Sequence, residues 1–353
     1  MEELSREILR IVDANLNRTG EGLRVLEEFA RLSLNDAALT RRLKDLRHAL
    51  LMMPPGMQAS LIAARDAAGD IGRDMKSPRQ AEARGVPETI VANARRVQES
   101  LRVLEEIART AALPLDTDAY KTARFSLYDI EKDLLARLLR REKAARLSGL
   151  YVIIDNDFLK GRDPAKVAGQ ALDGGASVIQ LRAKGLNTRM FLTMAEKIKE
   201  VCDRRGVSFI VNDSLEVALA VDADGLHVGR DDLPVATARH LLPVNKLLGA
   251  SVNTVEEALL AHSEGADYLG AGCAFPTVTK SSANMMGCER LTEIRQAVDL
   301  PIVAIGGINK GNIAEVMRTG AAAAAVISAV LGTADVAGAT RELVNIIAEV
   351  SRA

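Results

Sequence analysis

The sequence predicts an α/β protein in which a (β/α)8 TIM barrel follows an all-α helical-bundle domain. From residue 150 to residue 328 the chain repeats one unit eight times: a short run rich in β-branched residues or alanine, a polar or glycine stop and, in most repeats, a helical stretch. Eight such units close a parallel barrel. Before Gly149 only 6 of the 26 glycines occur and apolar residues follow the helical period, which predicts helices there.

Each predicted strand ends at, or directly before, a polar residue or a glycine. In a barrel of this type the active site lies at the carboxyl ends of the strands, so the side chains at these stops are the first candidates for function. The predicted strands are Tyr151–Asp155, Val178–Arg182, Ser208–Asn212, Gly225–Gly229, Leu247–Val252, Tyr268–Gly272, Ile302–Gly306 and Ala323–Ser328.

The length of the chain indicates two domains. One TIM barrel takes roughly 250 residues, and the chain has 353. We therefore expect an all-α domain over residues 1–146 and the barrel over residues 147–353. Because aromatic residues make up only 3% of the chain and Trp is absent, both cores are expected to consist of Leu, Ile, Val and Ala.

Charge and cysteine content exclude several classes of protein. The formal net charge is −1 and no strongly basic run or face occurs, so we expect no nucleic-acid partner. The three cysteines lack metal-ligand spacing, which fits a reducing compartment. The N-terminus is charged, and no apolar stretch reaches the ~20 residues of a membrane span. These features predict a cytoplasmic protein without a membrane partner.

The all-α domain contains a tandem repeat. The stretch Asn15–Arg31 recurs 78 positions later as Asn93–Arg109, with the shared pattern Leu-Arg-Val-Leu-Glu-Glu. Each copy is followed by a second amphipathic segment, Leu39–Leu51 or Tyr120–Leu139. Two related α-hairpins, packed as a bundle with pseudo-twofold symmetry, are the expected result.

Both copies place an arginine near an apolar helix stripe. At 100° per residue, Arg18 projects among Val25, Leu26 and Phe29, and Arg96 does the same in the second copy. A buried arginine needs a partner or a ligand. Two alternatives stay open: a structural network across the pseudo-dyad, or a pocket for a phosphorylated ligand. The candidates, some from the charged loop between the hairpins, are Asn15, Arg18, Glu21, Arg24, Arg65, Asp66, Asp70, Asn93, Arg96, Glu99 and Arg102.

The second barrel strand and its exit carry an amide and two cations at alternate positions. Gln180, Arg182 and Lys184 therefore share one face, which at a strand's carboxyl end points into the active site. This set suits an oligophosphate, although a solvated strand end is the alternative. Asp213 and Asp232 follow the next two strands and suit Mg²⁺ bound to a diphosphate. Each aspartate could instead cap a helix.

The last strands predict a second phosphate site. Gly306–Gly307 and Ile327–Ser328 stand where this fold commonly holds a monophosphate through backbone N–H groups. Hydroxyls and a cation after the sixth strand would lie between the two phosphate sites; these residues are Thr277, Thr279 and Lys280. The barrel is therefore expected to hold two small phosphorylated molecules. His227, within the fourth strand, is interpreted as a core or supporting histidine.

Taken together, these motifs resemble the thiamine phosphate synthase family, nearly completely from Gly149 onward. The matching stretches are Gln180-Leu-Arg-Ala-Lys184, Phe209-Ile-Val-Asn-Asp213, Asp224-Gly-Leu-His-Val-Gly-Arg-Asp-Asp232, Gly249-Ala-Ser251, Pro276-Thr-Val-Thr-Lys280 and Ile305-Gly-Gly307. The departures are Arg230-Asp231 in place of Gln-Glu, Cys273-Ala274 in place of Pro-Ile or Pro-Val, and an alanine run in the last strand. None of them removes a ligand.

The resemblance implies a reaction and a role for each site residue. The pyrimidine diphosphate 4-amino-2-methyl-5-(diphosphomethyl)pyrimidine would react with thiazole phosphate, carboxylated or not, to give thiamine phosphate and diphosphate. Gln180, Arg182, Lys184, Asn212, Ser251 and Lys280 would bind the pyrimidine substrate, with Arg182, Lys184 and Lys280 catalytic. Asp213 and Asp232 would bind Mg²⁺, and Thr277, Thr279, Gly307, Ile327 and Ser328 would hold the thiazole phosphate. A thiazole tautomerase on the same barrel is the alternative, which the complete diphosphate set disfavours.

The all-α domain resembles a small helical hydroxymethylpyrimidine phosphate kinase that is often fused to thiamine phosphate synthase. The match runs along Asp13–Arg18, Glu21–Glu28, Leu46–His48, Ala64–Asp66 and Gly69–Gly72. It implies a bifunctional enzyme with ATP as co-substrate, but no Walker or kinase glycine loop places the ATP site. A non-catalytic oligomerisation scaffold and a chorismate-mutase-like domain are the alternatives, and a homo-oligomer is compatible with the sequence.

Overall fold

The computed structural model describes residues 5–53, 55–66, 68–71, 84–110, 115–272, 274–276 and 287–352. The chain forms two compact units, Met1–Leu138 and Leu139–Ala353. We expected the boundary between residues 146 and 147. It lies earlier, inside a helix that spans Thr117–Ala145, because the last turns of that helix pack with the barrel.

The first unit is all-α, as predicted. Its helices are α1 (Arg6–Glu28, continued by a π-helical turn Phe29–Ser33), α2 (Ala37–Leu51), α3 (Pro55–Ala63), α4 (Val86–Thr110) and α5 (Thr117–Ala145). Capping side chains define where the first two begin: Ser5 Oγ accepts the Ile8 N–H at 3.3 Å, and Asp36 Oδ1 accepts the Leu39 N–H at 2.9 Å. Within the described residues, no helix is long and apolar enough to cross a membrane.

Helices α1 and α4, the two copies of the repeat, pack closely against each other. A Cβ at Gly22 would lie 2.5 Å from Val97 Cγ2, so only glycine permits this approach. Leu23 and Leu26 of α1 and their counterparts 78 positions later, Leu101 and Leu104, are all completely buried. The repeat therefore reflects two helices that bury the same face.

The second unit is a closed barrel of eight parallel strands in sequential order, which confirms the predicted fold class. The strands are β1 (Gly149–Asp155), β2 (Val178–Arg182), β3 (Ser208–Asn212), β4 (Gly225–Val228), β5 (Leu247–Val252), β6 (Tyr268–Gly272), β7 (Ile302–Ile305) and β8 (Ala323–Val326). The helices are α6 (Asn156–Leu159), α7 (Pro164–Asp173), α8 (Thr188–Arg205), α9 (Leu215–Ala220), α10 (Val235–Leu241), α11 (Val255–Ser263), α12 (Gly287–Ala297), α13 (Ile313–Arg318), α14 (Ser328–Leu331) and α15 (Val336–Val350).

Two tyrosines fill the interior of the barrel. Tyr151 of β1 and Tyr268 of β6 are both buried. A Cβ at Gly249 of β5 would lie only 2.2 Å from Tyr268 Cζ, so a larger residue there would displace the ring. The small side chains of β8, Ala323 and Ala325, belong to the same interior cluster. The alanine run of β8 thus accompanies two large rings in the barrel centre.

The last turns of α5 contribute to the interior cluster and to an ion pair beside the barrel. Ala144 of α5, and Leu147 just after the helix, pack with interior residues that include Tyr151. Arg140 Nε donates to Asp267 Oδ1 at 2.8 Å, and Arg239 Nη1 donates to Asp267 Oδ2 at 3.1 Å. Residues before position 147 are therefore part of the barrel fold.

We expect a barrel fragment that begins at residue 147 to be less stable than one that begins at residue 139. The shorter fragment lacks Arg140 and Ala144, and each kcal/mol lost lowers the melting temperature by about 2–4 °C in a domain of this size. Thermal unfolding followed by circular dichroism measures the difference. Arg140→Met in the longer fragment is the control that separates the ion pair from apolar packing. Equal melting temperatures for the two fragments would contradict this role of α5.

Candidate active site

A cavity of about 250 Å³ opens at the carboxyl ends of the strands. Its wall includes residues from every strand of the barrel, and most of the predicted site residues are among them: Gln180, Arg182, Lys184, Asn212, Asp232, Ser251, Gly307, Ile327 and Ser328. Thr277, Thr279 and Lys280 lie outside the described residues. The structure therefore brings the predicted residues of six strand ends to one cavity.

Arg182 is held by an aspartate on the neighbouring strand. Asp155, the last residue of β1, is in register with Arg182, the last residue of β2. Its Oδ2 accepts a hydrogen bond from Arg182 Nη1 at 2.5 Å, and its Oδ1 accepts the Asp157 N–H at 2.9 Å, which caps α6. Because Asp155 is only 1% exposed, this charged hydrogen bond is shielded from water and fixes the guanidinium.

Asp155 was not predicted as a site residue. Its acidic side chain at a strand end was visible in the sequence, as was the arginine at the end of the next strand. The signal is their register, since a carboxylate and a guanidinium at equal depth on adjacent parallel strands lie side by side.

Lys184, Asp213 and Asp232 form a charged cluster beside Arg182. Lys184 Nζ lies 3.6 Å from Asp213 Oδ2, and Asp232 Oδ2 accepts the Gly229 N–H at 2.9 Å. Burial, and after it the neighbouring Asp232 carboxylate, raises the pKa of Asp213 to about 6. The pKa of Asp232 is lowered, because hydrogen bonds from Asp213 and the Gly229 N–H outweigh its burial. Two adjacent carboxylates of this kind favour a cation between them.

Neither aspartate caps a helix, so that alternative is wrong. The cap of α9 is Ser214, whose Oγ accepts the Val217 N–H at 3.3 Å, and α10 begins after Pro234. Asp213 adopts a left-handed conformation with φ of +64°, which is uncommon for a residue other than glycine. The backbone thus accepts strain at the residue that carries this carboxylate, as is typical of functional sites.

A chain of buried hydrogen bonds crosses the barrel and lines the inner end of the cavity. Gln180 Nε2 donates to Tyr151 Oη at 2.9 Å, and the hydroxyls of Tyr151 and Tyr268 are 3.3 Å apart. Tyr268 Oη then lies 3.2 Å from His227 Nδ1, and His227 Nε2 lies 3.0 Å from Ser251 Oγ. Burial raises the pKa of both tyrosines, so their hydroxyls stay protonated. The chain orients Gln180 and Ser251 together, and His227 supports them as predicted.

The loop after β7 has a backbone that only glycine adopts readily. Gly306 and Gly307 have φ values of +104° and +64°. A Cβ at Gly307 would lie 2.4 Å from the Pro276 carbonyl oxygen. This loop and Ile327–Ser328 line the same cavity, and because Gly306 and Gly307 carry no side chain, their backbone is exposed to it.

In the first unit, the prediction that Arg18 and Arg96 lie on apolar stripes is wrong. Both are exposed. The buried stripe of α1 runs through Thr19 and Leu23, and Arg18 is turned by about 100° from Thr19 around the helix. Asn15 and Asn93 are buried as expected, but each donates to the carbonyl four residues earlier in its own helix, at 2.8 Å.

A structural network does exist in this unit, but other carboxylates form it. Glu27 is buried and accepts hydrogen bonds from Arg24 and from Arg47 of α2, both at 2.9 Å. Its repeat counterpart Glu105 is also buried and pairs with Arg102, Arg109 and Arg124 of α5 at 3.1, 2.7 and 3.6 Å. Each clamp ties a long helix to its hairpin partner. Of the other candidates, Glu21 and Glu99 are exposed.

The loop after α3 docks on the first half of α1. Arg65 donates two hydrogen bonds to Asp13, at 2.8 and 2.9 Å, and Asn17 Nδ2 donates to the same carboxylate at 3.2 Å. Arg10 Nη2 donates to the Asp66 carbonyl at 3.3 Å. Asp70 is exposed in the same loop. The structure therefore groups Arg65 and Asp66 with α1, and among the described residues no hydrogen bond or ion pair joins the predicted residues of α1 to those of α4.

Named relatives match nearly the full length of the chain. The family model of thiamine monophosphate synthase matches residues 150–330. The thiamine-phosphate synthase of Synechococcus sp. (strain CC9311) is 39% identical over 97% of this chain and 96% of its own. That of Synechocystis sp. (strain ATCC 27184 / PCC 6803 / Kazusa) is 36% identical over 98% and 97%. The chain belongs to the thiamine-phosphate synthase family.

Two further comparisons each match only part of the chain. A solved thiamine phosphate pyrophosphorylase from Pyrococcus furiosus has 44% identity and a TM-score of 0.55, and the match covers 59% of this chain and 98% of that one. The ThiD2 family model matches residues 10–133. The activity of the thiamine-phosphate synthase family, a transferase reaction of thiamine biosynthesis, is thus that of this chain, and none of these relatives is a thiazole tautomerase.

We expect Asp155→Asn to lower kcat/KM for thiamine phosphate synthesis by about tenfold or more, because a hydrogen bond between charged groups contributes about 1.5–3 kcal/mol. Asparagine still caps a helix, so the melting temperature should change little. The matched control is Asp157→Asn, which removes an exposed carboxylate of α6. Steady-state kinetics check the effect, and wild-type activity in Asp155→Asn would show that Arg182 does not need its partner.

Proposed function

We propose that the cavity condenses 4-amino-2-methyl-5-(diphosphomethyl)pyrimidine with thiazole phosphate. The observation that carries this proposal is the pairing of two different anion sites in one cavity. Arg182, Lys184 and Asp232 line one side, where Asp213 lies 3.6 Å from Lys184. Gly306–Gly307 and Ile327–Ser328 offer a cradle in the same wall. A diphosphate with a metal ion suits the first site, and a monophosphate suits the second.

The donor set of the first site fits Mg²⁺. Among the described residues, no group of three or more His, Cys, Asp or Glu side chains is placed to hold a metal by itself. Mg²⁺ needs only one or two carboxylates when substrate phosphates and water supply the remaining oxygens. Asp213 and Asp232, with their adjacent carboxylates, would hold it, and when bound the ion would neutralise part of the diphosphate charge.

In the proposed reaction, the bond between the pyrimidine methylene carbon and the diphosphate oxygen breaks, and its electron pair leaves with the diphosphate. The thiazole nitrogen then forms the new bond to that carbon. Arg182 and Lys184 stabilise the charge on the departing diphosphate, together with Lys280 if its role follows the family resemblance. Gln180 and Asn212 would bind the pyrimidine diphosphate, and Ser251 would contact the pyrimidine. The aminopyrimidine itself can carry the positive charge, so no protein nucleophile is needed.

We expect Arg182→Ala to lower kcat by about 10²–10³-fold, the usual effect of removing one donor to developing negative charge. Lys280→Ala should have an effect of the same kind. Asp213→Asn should raise the Mg²⁺ concentration needed for half-maximal rate. The matched control is Arg204→Ala, which removes an exposed arginine of α8. Wild-type turnover of Arg182→Ala at saturating Mg²⁺ would contradict the proposed diphosphate site. An unchanged Mg²⁺ dependence of Asp213→Asn would show that the metal binds elsewhere.

We further propose that the first unit phosphorylates hydroxymethylpyrimidine phosphate with ATP. An oxygen of the monophosphate would attack the γ-phosphorus of ATP, and ADP would leave. The ThiD2 match over residues 10–133 supports this activity. So does the cluster of Arg10, Asp13, Arg65 and Asp66, because arginine and carboxylate groups serve phosphate binding and phosphoryl transfer. The product would be the pyrimidine substrate of the barrel.

We expect Arg65→Gln in the full-length chain to abolish thiamine phosphate formation from hydroxymethylpyrimidine phosphate, ATP and thiazole phosphate. Formation from the pyrimidine diphosphate should stay normal, because that substrate bypasses the first unit. Arg18→Met tests the exposed arginine in the same assay and should not lower the melting temperature. The control is Arg42→Met, which removes an exposed ion pair with Asp133. If the wild-type chain transfers no phosphate from ATP, the non-catalytic scaffold replaces the kinase.

A further inference from the structure

Arg162 binds the ends of two short helices that follow the first and the last strands of the barrel. Its Nε donates to the Leu159 carbonyl at 3.0 Å, and its Nη2 donates to the Phe158 carbonyl at 2.8 Å, both in α6. The same guanidinium donates to the Leu331 carbonyl, where α14 ends, and to the Thr333 carbonyl at 3.2 Å. One side chain thus joins segments that are about 170 residues apart in the sequence.

Among the described residues, Arg162 donates its hydrogen bonds to backbone carbonyls alone. Within the described part of the chain, it forms no ion pair with a carboxylate, although it is half-buried. The last carbonyls of a helix lack partners within that helix and carry partial negative charge, which a guanidinium satisfies. Thr333 Oγ1 also donates to the Val330 carbonyl at 2.9 Å. The end of α14 is therefore held from two sides.

The other end of α14 lies in the cavity wall. Ile327 and Ser328 line the cavity, and the Leu331 N–H donates to the Ile327 carbonyl at 2.8 Å. Because α14 has only four residues, about 6 Å separates its two ends at 1.5 Å per residue. A displacement of Leu331 would therefore move Ser328 as well.

Helix α6 connects Arg162 to the end of strand β1. It begins at Asp155, whose side chain both caps the helix and holds Arg182. Its C-terminal carbonyls, Phe158 and Leu159, are two of the four that bind Arg162. The contacts run from the β1 strand end through α6 and Arg162 to α14.

We propose that Arg162 is a positioning residue for the thiazole phosphate, because it fixes Ile327–Ser328 against the β1 side of the barrel. The inference rests on the proposed binding of that phosphate by Gly306–Gly307 and Ile327–Ser328. Arg162 itself does not line the cavity. Its planar fork can reach four carbonyls at once, whereas the single ammonium group of lysine cannot.

The test is steady-state kinetics of the full-length chain with Arg162→Met and Arg162→Lys. Both variants should raise KM for thiazole phosphate by about tenfold, the effect of losing hydrogen bonds from a charged donor. KM for the pyrimidine diphosphate and kcat at saturation should stay within about twofold of wild type, since the chemistry is untouched. Lysine retains the positive charge, so failure of Arg162→Lys to restore KM would show that the fork is required.

A matched control separates positioning from general loss of stability. Arg239 also donates to three carbonyls, those of Leu242, Pro243 and Lys246, but near the start of β5. Arg239→Met should lower the melting temperature without raising KM for thiazole phosphate. If Arg239→Met raises that KM as much as Arg162→Met does, the positioning role is overturned.

A reference variant distinguishes failure of this inference from failure of the proposed function. Ser328→Asp places a carboxylate in the cavity wall and should raise KM for thiazole phosphate strongly by repulsion. If Ser328→Asp behaves as expected and both Arg162 variants keep wild-type KM values, only the role of Arg162 is overturned. If Ser328→Asp leaves KM for thiazole phosphate unchanged, the phosphate does not bind there, and the proposed site and the inference fail together.

Discussion

Closure of eight parallel strands is the constraint on which the site depends. It brings all the carboxyl ends of the strands to one rim, so residues far apart in sequence become neighbours by register. Asp155 meets Arg182 in this way. The barrel interior must be filled without leaving polar groups unpaired. Tyr151 and Tyr268 do both, because their rings fill the interior and each hydroxyl has a hydrogen-bond partner at the inner end of the cavity. The hydrogen-bond chain that completes the core therefore orients two site residues.

At the rim of the barrel, two cations of the site each lie beside a carboxylate: Arg182 beside Asp155, and Lys184 beside Asp213. Asp155 neutralises Arg182 from behind, at a depth where water does not compete. Asp213 and Asp232 remain side by side with Lys184 as the cation nearest to them. Such a cluster is poorly satisfied by the protein alone, since burial and the neighbouring Asp232 make the ionised form of Asp213 costly. The left-handed backbone of Asp213 adds strain to the same place. Neither feature stabilises the fold. Both are explained if the cluster binds a metal ion together with an anionic substrate.

The sequence predicts the barrel well because strand patterns have a short period. The bounds of β2, β3, β5 and β6 agree with the predicted runs, and β4, β7 and β8 end only slightly earlier. The buried face of each helix in the first unit is harder to predict from the sequence. Around α1, Val25 and Phe29 suggest one apolar arc and Val12 and Leu23 another, and only the packing of α4 decides which arc is buried. Arg162 could not be predicted at all, because its ligands are backbone carbonyls, which carry no residue-specific signal.

The two copies of the helical repeat share one charged cluster and differ in another, and this difference distinguishes residues needed for folding from candidate ligand-binding residues. Both copies have a buried glutamate, Glu27 or Glu105, that pairs with arginines. Because each copy needs this pairing to hold its hairpin together, folding is sufficient to explain it. The Asp13–Arg65 pair has no such counterpart, since Val91 occupies the position 78 residues after Asp13. Folding of an equivalent hairpin thus does not require this charged cluster. In the described residues of the bundle, each copy has its own clamp while the Asp13–Arg65 cluster occurs once, as a single ligand site on a duplicated scaffold would require.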